Sequence, residues 1–250
     1  MSEFETVTVV GAGLAGCECA LQLAKRGVRV RLCEQRPLST TAAHHTDGMA
    51  ELVCSNSLKA TRVDSAAGLL KAELGEMGCE LLDCAHQAAV PAGGALAVDR
   101  DYFSRLVGER VGSSELIEVV RGEVTSIPEG PCVIAAGPLC SDALASSVSE
   151  LVGGGSLSFF DAAAPIVDAE TIDRSIVFSQ SRYEEAGEGD YLNCPMDKAE
   201  YEAFIGALLS AERVVARDFE QRDLFCACQP VEEVARTGVD AARYGAMKPV

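Results

Sequence analysis

A largely apolar run, Val7-Thr8-Val9-Val10, gives way to Gly11-Ala12-Gly13-Leu14-Ala15-Gly16. Apolar residues then recur at helical spacing as far as Arg26, where Gly27 breaks the pattern. A second apolar run, Val28 to Cys33, follows at once. Strand, helix and strand within about thirty residues make a βαβ unit, whose short connections favour a parallel sheet with a right-handed crossover. After Pro37 the periodicity fades into a polar stretch from Ser39 to Ser57, too long for an ordinary connection and therefore expected to be functional or ordered by a ligand. Helical spacing returns over 64–77. Pro91-Ala92-Gly93-Gly94-Ala95 reads as a loop, and Asp99 as the N-cap of a helix over 100–111. Strands are expected at 117–120, 123–127 and 132–135.

Gly153-Gly154-Gly155 is the most linker-like point, and beyond it short strands (176–179, 191–193) mix with a helix over 197–211. The pattern therefore predicts an α/β domain over 1–152 and an α+β domain over 156–250. Neither an internal repeat nor a low-complexity tract is visible.

The glycines at 11, 13 and 16 fit three separate demands: a tight turn out of a strand, close approach of backbone to a pyrophosphate, and close packing of helix on strand. The helix that opens there directs its free N–H groups and positive dipole end at the phosphates, which makes the whole run from Gly11 through Ala12, Gly13, Leu14 and Ala15 to Gly16 the candidate phosphate cradle. Glu34, about twenty residues on at the end of the second strand, is placed to accept bonds from ribose hydroxyls. A glycine-rich turn alone is weak evidence. The strand before it, the helix after it and the acid at the right distance together predict a Rossmann-like dinucleotide-binding domain, without separating FAD from NAD.

The 250 residues are 48% hydrophobic, enough to bury a core, and 24% charged. Lys+Arg 21 against Asp+Glu 38 gives a formal charge of -17, which opposes non-specific adhesion to nucleic acid or anionic membrane, so an RNA substrate would need a local basic patch. The acidic N-terminus lacks the form of a signal peptide, and no stretch approaches the roughly 20 apolar residues of a membrane span. A cytoplasmic protein is the expectation, and the 11 cysteines then read as thiols. Cys17, Cys19 and Cys33 read as ordinary core residues. The close pairs 17/19 and 226/228 lack the spacing of common zinc sites, so no metal is expected.

Longer blocks carry a more specific signal. Ala43-His44-His45-Thr46-Asp47 followed by Glu51-Leu52-Val53-Cys54-Ser55-Asn56-Ser57-Leu58 closely resembles the folate- and FAD-dependent tRNA (uracil-5-)-methyltransferase family. Val90 to Arg100, Phe160 to Val167 and Tyr191 to Met196 resemble it too, so the likeness spans nearly the whole chain. Ile134-Ala135-Ala136-Gly137-Pro138 is similar to the segment flanking the flavin nucleotide in two-dinucleotide flavoproteins.

The resemblance implies an FAD-binding domain with an inserted substrate domain, and methylation of the T-loop uridine of tRNA at C5. Its implied donor is 5,10-methylenetetrahydrofolate, its cofactor FAD and its reductant NAD(P)H. Phe225-Cys226-Ala227-Cys228-Gln229-Pro230 matches the block holding the nucleophilic cysteine, which by that register is Cys228. A slip of two would make it Cys226, which an extended backbone would place on the same face. Cys54 matches a second functional cysteine of the family, and His44 and His45 are candidates to bind phosphate or folate carboxylates. With Trp absent, stacking on a flipped base falls to Phe or Tyr, with Tyr183 and Tyr191 as candidates. Family members continue beyond the position of Val250, so the expectation is an N-terminal portion. The alternatives are a non-catalytic remnant with weak nucleotide binding and the related wobble-uridine-modifying flavoprotein.

Overall fold

A computed structural model describes residues 6–41, 43–53, 55–137, 139–153, 168–180, 189–212 and 231–244. The chain divides into two compact units, 1–155 and 156–250.

In the first unit, β1 (Val7–Val10), α1 (Leu14–Lys25) and β2 (Val30–Glu34) form the βαβ unit, with Val7 opposite Val30 and Val10 opposite Cys33 in parallel register. β6 (Ile117–Arg121) pairs in parallel with β2, and β7 (Cys132–Ile134) with β1. The order β6-β2-β1-β7 is that of the first half of a doubly wound dinucleotide-binding sheet, whose ligand crevice opens at the carboxyl ends of the strands. Small residues set the layer spacing: α1 buries Gly16, Cys17, Ala20 and Leu21. Beside it α4 (Arg100–Gly112) buries Phe103, Val107 and Val111, one stripe at four-residue steps. Asp99 caps α4 by accepting the Tyr102 N–H at 2.9 Å. These side chains join Val9, Val30, Leu32 and Val98 in one continuous core.

Between β2 and α4 the chain adds one helix that the hydrophobic pattern announces and several elements that it does not. β3 (Ser57–Ala60), β4 (Ala89–Val90) and β5 (Ala95–Val98) make an antiparallel sheet in the order β3-β5-β4. α2 (Ala66–Glu76), capped by Ser65, occupies the predicted helical stretch, and α3 (Glu80–Gln87) follows it. Two- to four-residue alanine-rich strands carry too few positions to show a period, which is why Ala95 reads as loop in the sequence although it opens β5. The strand expected over 123–127 is irregular chain instead, and Ile127 sends its N–H to the Ser147 hydroxyl of α5 (Asp142–Leu151) at 3.2 Å.

In the second unit, β8 (Phe178–Ser179) and β9 (Leu192–Asn193) pair antiparallel. α6 (Lys198–Ser210) begins with a reciprocal capping box between Asp197 and Glu200. α7 (Val231–Thr237) follows, and Ile205, Ala235 and Ala242 form a small buried cluster. Among the described residues no helix is long and apolar enough to cross a membrane.

Candidate functional site

The turn between β1 and α1 uses its three glycines differently. Gly11 has φ +101°, and a Cβ there would stand 2.6 Å from the Ala135 carbonyl oxygen just beyond β7. At Gly16 a Cβ would stand 1.7 Å from the Gly11 carbonyl oxygen. Both positions are therefore glycine because the fold itself has no room. Gly13 differs: beyond its own chain neighbours, no described atom lies within 4 Å of where its Cβ would be. It is the N-cap of α1, its backbone is extended, and no side chain caps the helix. The first-turn N–H groups, carried by Leu14, Ala15 and Gly16, thus lie at a helix end with the positive pole of the dipole behind them.

Ala12 is held on both sides of its peptide unit. Its N–H donates to Glu34 Oε2 at 2.9 Å, and its carbonyl accepts the Ala50 N–H at 2.8 Å and the Cys17 thiol at 3.2 Å. Ala50 has φ +50°, an uncommon conformation for a residue with a side chain, adopted where the loop after β2 closes onto the turn.

Glu34 and Arg36 are 5% and 2% exposed. The Arg36 backbone N–H and Nε both donate to Glu34 Oε1, at 3.0 and 2.8 Å. One guanidinium nitrogen reaches on to Glu51 Oε2 at 2.7 Å and to the Thr46 carbonyl at 3.3 Å. Glu51 in turn accepts the backbone N–H groups of His45 at 2.9 Å and Thr46 at 3.4 Å. Burial pushes the Glu34 carboxyl up, but the bonds from Arg36 and Ala12 outweigh it and hold it below the usual carboxylate range. Glu51 is likewise pushed up by burial and drawn down further by the His45 and Thr46 bonds. Glu34 accepts three hydrogen bonds, and a carboxylate has about four acceptor sites, which leaves room for one more donor.

His44 lies in the same loop, its Nδ1 2.7 Å from the Thr41 hydroxyl. Burial, with the Arg36 charge nearby, holds it below the usual imidazole range, so it is neutral near pH 7. The loop also walls one side of an open cavity of about 570 Å³, faced by Arg100, Ser104 and Arg105 of α4 and by Arg121. Arg121 donates to the carbonyls of Arg36 and Asp47 at 2.8 and 3.2 Å.

Burial drives the Cys17 thiol up to about 12, and it raises Cys33 and Cys84 as well. These are core thiols, not nucleophiles. Cys54, Cys226, Cys228 and Tyr183 lie outside the described residues. Tyr191 is exposed in the second unit. Among the described residues no three His, Cys, Asp or Glu side chains gather as a metal would need. Sequence reasoning missed Arg36 and the partnership of Glu51. The available signal was two charges, Glu34 and Arg36, two residues apart at the end of an apolar strand, where they share a face.

Comparison with known proteins matches the sequence to a family. A family model described as glucose inhibited division protein A covers residues 6–250. Three curated relatives each carry the name methylenetetrahydrofolate–tRNA-(uracil-5-)-methyltransferase TrmFO. The protein from Geotalea uraniireducens is 52% identical over 247 residues, 98% of this chain and 57% of the relative. That from Geobacter sulfurreducens is 53% identical over 245 residues, 98% of this chain and 56% of the relative. The one from Rubrobacter xylanophilus is 56% identical over 244 residues, 98% of this chain and 54% of the relative. The chain thus spans about half the length of the curated relatives it matches. By the match over 6–250, the chain belongs to the glucose inhibited division protein A family.

Proposed function

We propose that this chain is the FAD-gripping N-terminal portion of an enzyme that methylates the T-loop uridine of tRNA at C5, drawing the carbon from 5,10-methylenetetrahydrofolate and the electrons from NAD(P)H. The observation that carries the dinucleotide part is Gly13: the fold does not require a glycine there, yet one stands at the uncapped N-terminus of α1. A pyrophosphate approaching that helix end is what a side chain would obstruct. The names of relatives more than half identical to this chain support the tRNA and folate parts.

In this reading the Gly11–Gly16 turn holds the pyrophosphate through backbone N–H groups, and Glu34 uses its remaining acceptor site for a ribose hydroxyl. When bound, FAD supplies the redox chemistry that brings a carbon at the formaldehyde level to a methyl group. Cys228 supplies the nucleophile. Uracil C5 is a poor nucleophile by itself, and a thiolate adding to C6 turns it into an enolate carbon that can bond to the donor's one-carbon unit. Loss of the C5 proton to a base then lets the sulfur leave C6 and restores the ring. Cys54 serves as a second thiol near the flavin, and Tyr191 or Tyr183 as a surface for the base. The reaction places the protein in the cytoplasm with tRNA.

A T-loop RNA bearing 5-fluorouracil tests the assignment, because fluorine at C5 cannot depart as a proton and the sulfur stays on C6. The protein, incubated with this RNA, FAD, the folate donor and NADPH, is expected to form an adduct that peptide mass mapping locates at Cys228. Cys228→Ser should lose it and Cys226→Ser should keep it. An adduct at Cys226 or Cys54 would move the nucleophile, and its absence under conditions where tRNA is methylated would overturn the mechanism.

A further inference from the structure

The Glu34–Arg36–Glu51 chain sits beneath the site with more structure than a ribose acceptor requires. Arg36 is 2% exposed and touches a carboxylate on each side: Glu34, which holds the Ala12 N–H of the glycine turn, and Glu51, which gathers the His45 and Thr46 N–H groups. Among the described residues Glu34 makes no hydrogen bond to His45 or Thr46 itself, and the Arg36 guanidinium bridges it to Glu51 and to the Thr46 carbonyl. A planar fork with five donors suits this task, whereas a lysine ammonium is a point charge. Buried ion pairs add little to net stability once desolvation is counted, so their geometry says more than their energy. The same loop is fastened to the same turn a second time, by the Ala50 N–H on the Ala12 carbonyl with Ala50 at φ +50°.

We propose that Arg36 is a positioning residue that makes the glycine turn and the 43–53 loop one mechanical latch, so that a dinucleotide seated on the turn tightens the loop carrying His44 and His45. A ligand that fixes Glu34 fixes Arg36, and with it Glu51 and the backbone it gathers. By linkage, ordering the loop strengthens the dinucleotide site by the same factor. Only the cofactor arm of this inference rests on the FAD reading above.

Site-resolved hydrogen exchange on the whole protein tests it. In the ligand-free protein, Glu34→Gln is expected to speed exchange at the His45 and Thr46 amides by about fivefold or more, although Glu34 touches neither, as local opening at that end becomes easier. Glu51→Gln should do the same, and the double variant should add little, because both break one chain. Protection of the α4 amides reports that each variant is folded. Unchanged exchange at 45 and 46 in Glu34→Gln, or full additivity of the two substitutions, would overturn the latch. In the cofactor arm, FAD should slow exchange at both 12–16 and 45–46 in the wild type, and at 45–46 by a much smaller factor in Glu51→Gln. A loop that merely needs Glu51 as structural support would be slowed by FAD in that variant by the full wild-type factor, and this result too would overturn the coupling. If the wild type binds no FAD, the cofactor reading falls, while the ligand-free arm still decides the latch.

Discussion

Among the described residues, the buried core of the first unit is much larger than that of the second. In the first, Val9, Leu32, Val98, Phe103, Val107 and Val111 are at most 1% exposed and belong to one core. In the second, the described residues bury Ile205, Ala235 and Ala242, while Ile176, Tyr191, Met196, Phe204 and Val239 are exposed. The hydrophobic effect scales with the area removed from water, so the first unit has the larger reserve from which to hold a strained turn and a buried ion-pair chain. A phosphate cradle works by holding backbone N–H groups in place before the ligand arrives, and such geometry is best kept on a deep core. The candidate nucleophile Cys228, with Cys226, falls in the sequence range 156–250 but outside the described residues, whereas the candidate cofactor grip stands on the deeper core.

The sharpest way to break this comparison is inside the core itself. Leu32→Ala should cost the first unit about 2–5 kcal/mol, the usual range for emptying a packed leucine site, and should release any bound dinucleotide with it. Ile205→Ala should lower the protection of α6 and leave the turn's ligand binding intact. Hydrogen exchange resolved by unit checks both, and equal loss of α1 protection in the two variants would show that the units do not differ as described.

Next in size is the contrast within the glycine turn. Gly16→Ala puts a methyl group 1.7 Å from the Gly11 carbonyl oxygen, so backbone must move, at a cost toward the top of the roughly 1–3 kcal/mol typical of overpacking. Gly13→Ala has open space and an extended backbone, and should change the melting temperature little while weakening nucleotide binding. A large stability loss at Gly13 would contradict the assignment of that glycine to the ligand.

The pattern of apolar positions shows the βαβ unit clearly, because four- and five-residue apolar strands and a helix opening on Gly13 leave few alternatives. Asp99 was legible as a cap for a similar reason, a short acceptor before a helical stretch satisfying an orphan N–H, whereas Asp197, read as the first residue of a helix over 197–211, stands as its N-cap. The β3-β5-β4 sheet was not, since Ala89–Val90 is too short to show a period and Ala95–Val98 owes its conformation in part to pairing with the distant Ser57–Ala60. The site divides in the same way. Glycine spacing and Glu34 are local signals, whereas the bond from Arg36 to Glu51 joins residues fifteen apart in sequence through an irregular loop, and no period encodes it.

A smaller effect follows from pH. Glu34 and Glu51 have folded pKa values below the ordinary glutamate value of 4.5. Between the two values the unfolded chain binds more protons, so stability rises with pH there; the contribution is complete above about pH 4.5 and is lost as the pH falls through the folded values. Thermal midpoints of Glu51→Gln should therefore fall less steeply than wild type as the medium is acidified below that point. An unchanged acid slope would show that the carboxylate carries no such linkage.

The smallest effect separates thiols of the two units. At about pH 8 an alkylating reagent should modify exposed Cys194 readily, while Cys17, buried and raised to about 12, resists until the first unit unfolds. Peptide mapping over time reads the order, and early labelling of Cys17 would contradict the rigid core beneath the turn.

The central claim, that the Gly11–Gly16 turn of the first unit grips FAD, is tested most directly by titrating FAD into the wild type and Gly13→Val and following flavin fluorescence, with circular dichroism melts on the same samples. The account predicts saturable binding to the wild type, loss of binding in Gly13→Val, and closely similar melts of the two ligand-free proteins. Equal FAD binding by both proteins, or none by a folded wild type, would contradict it.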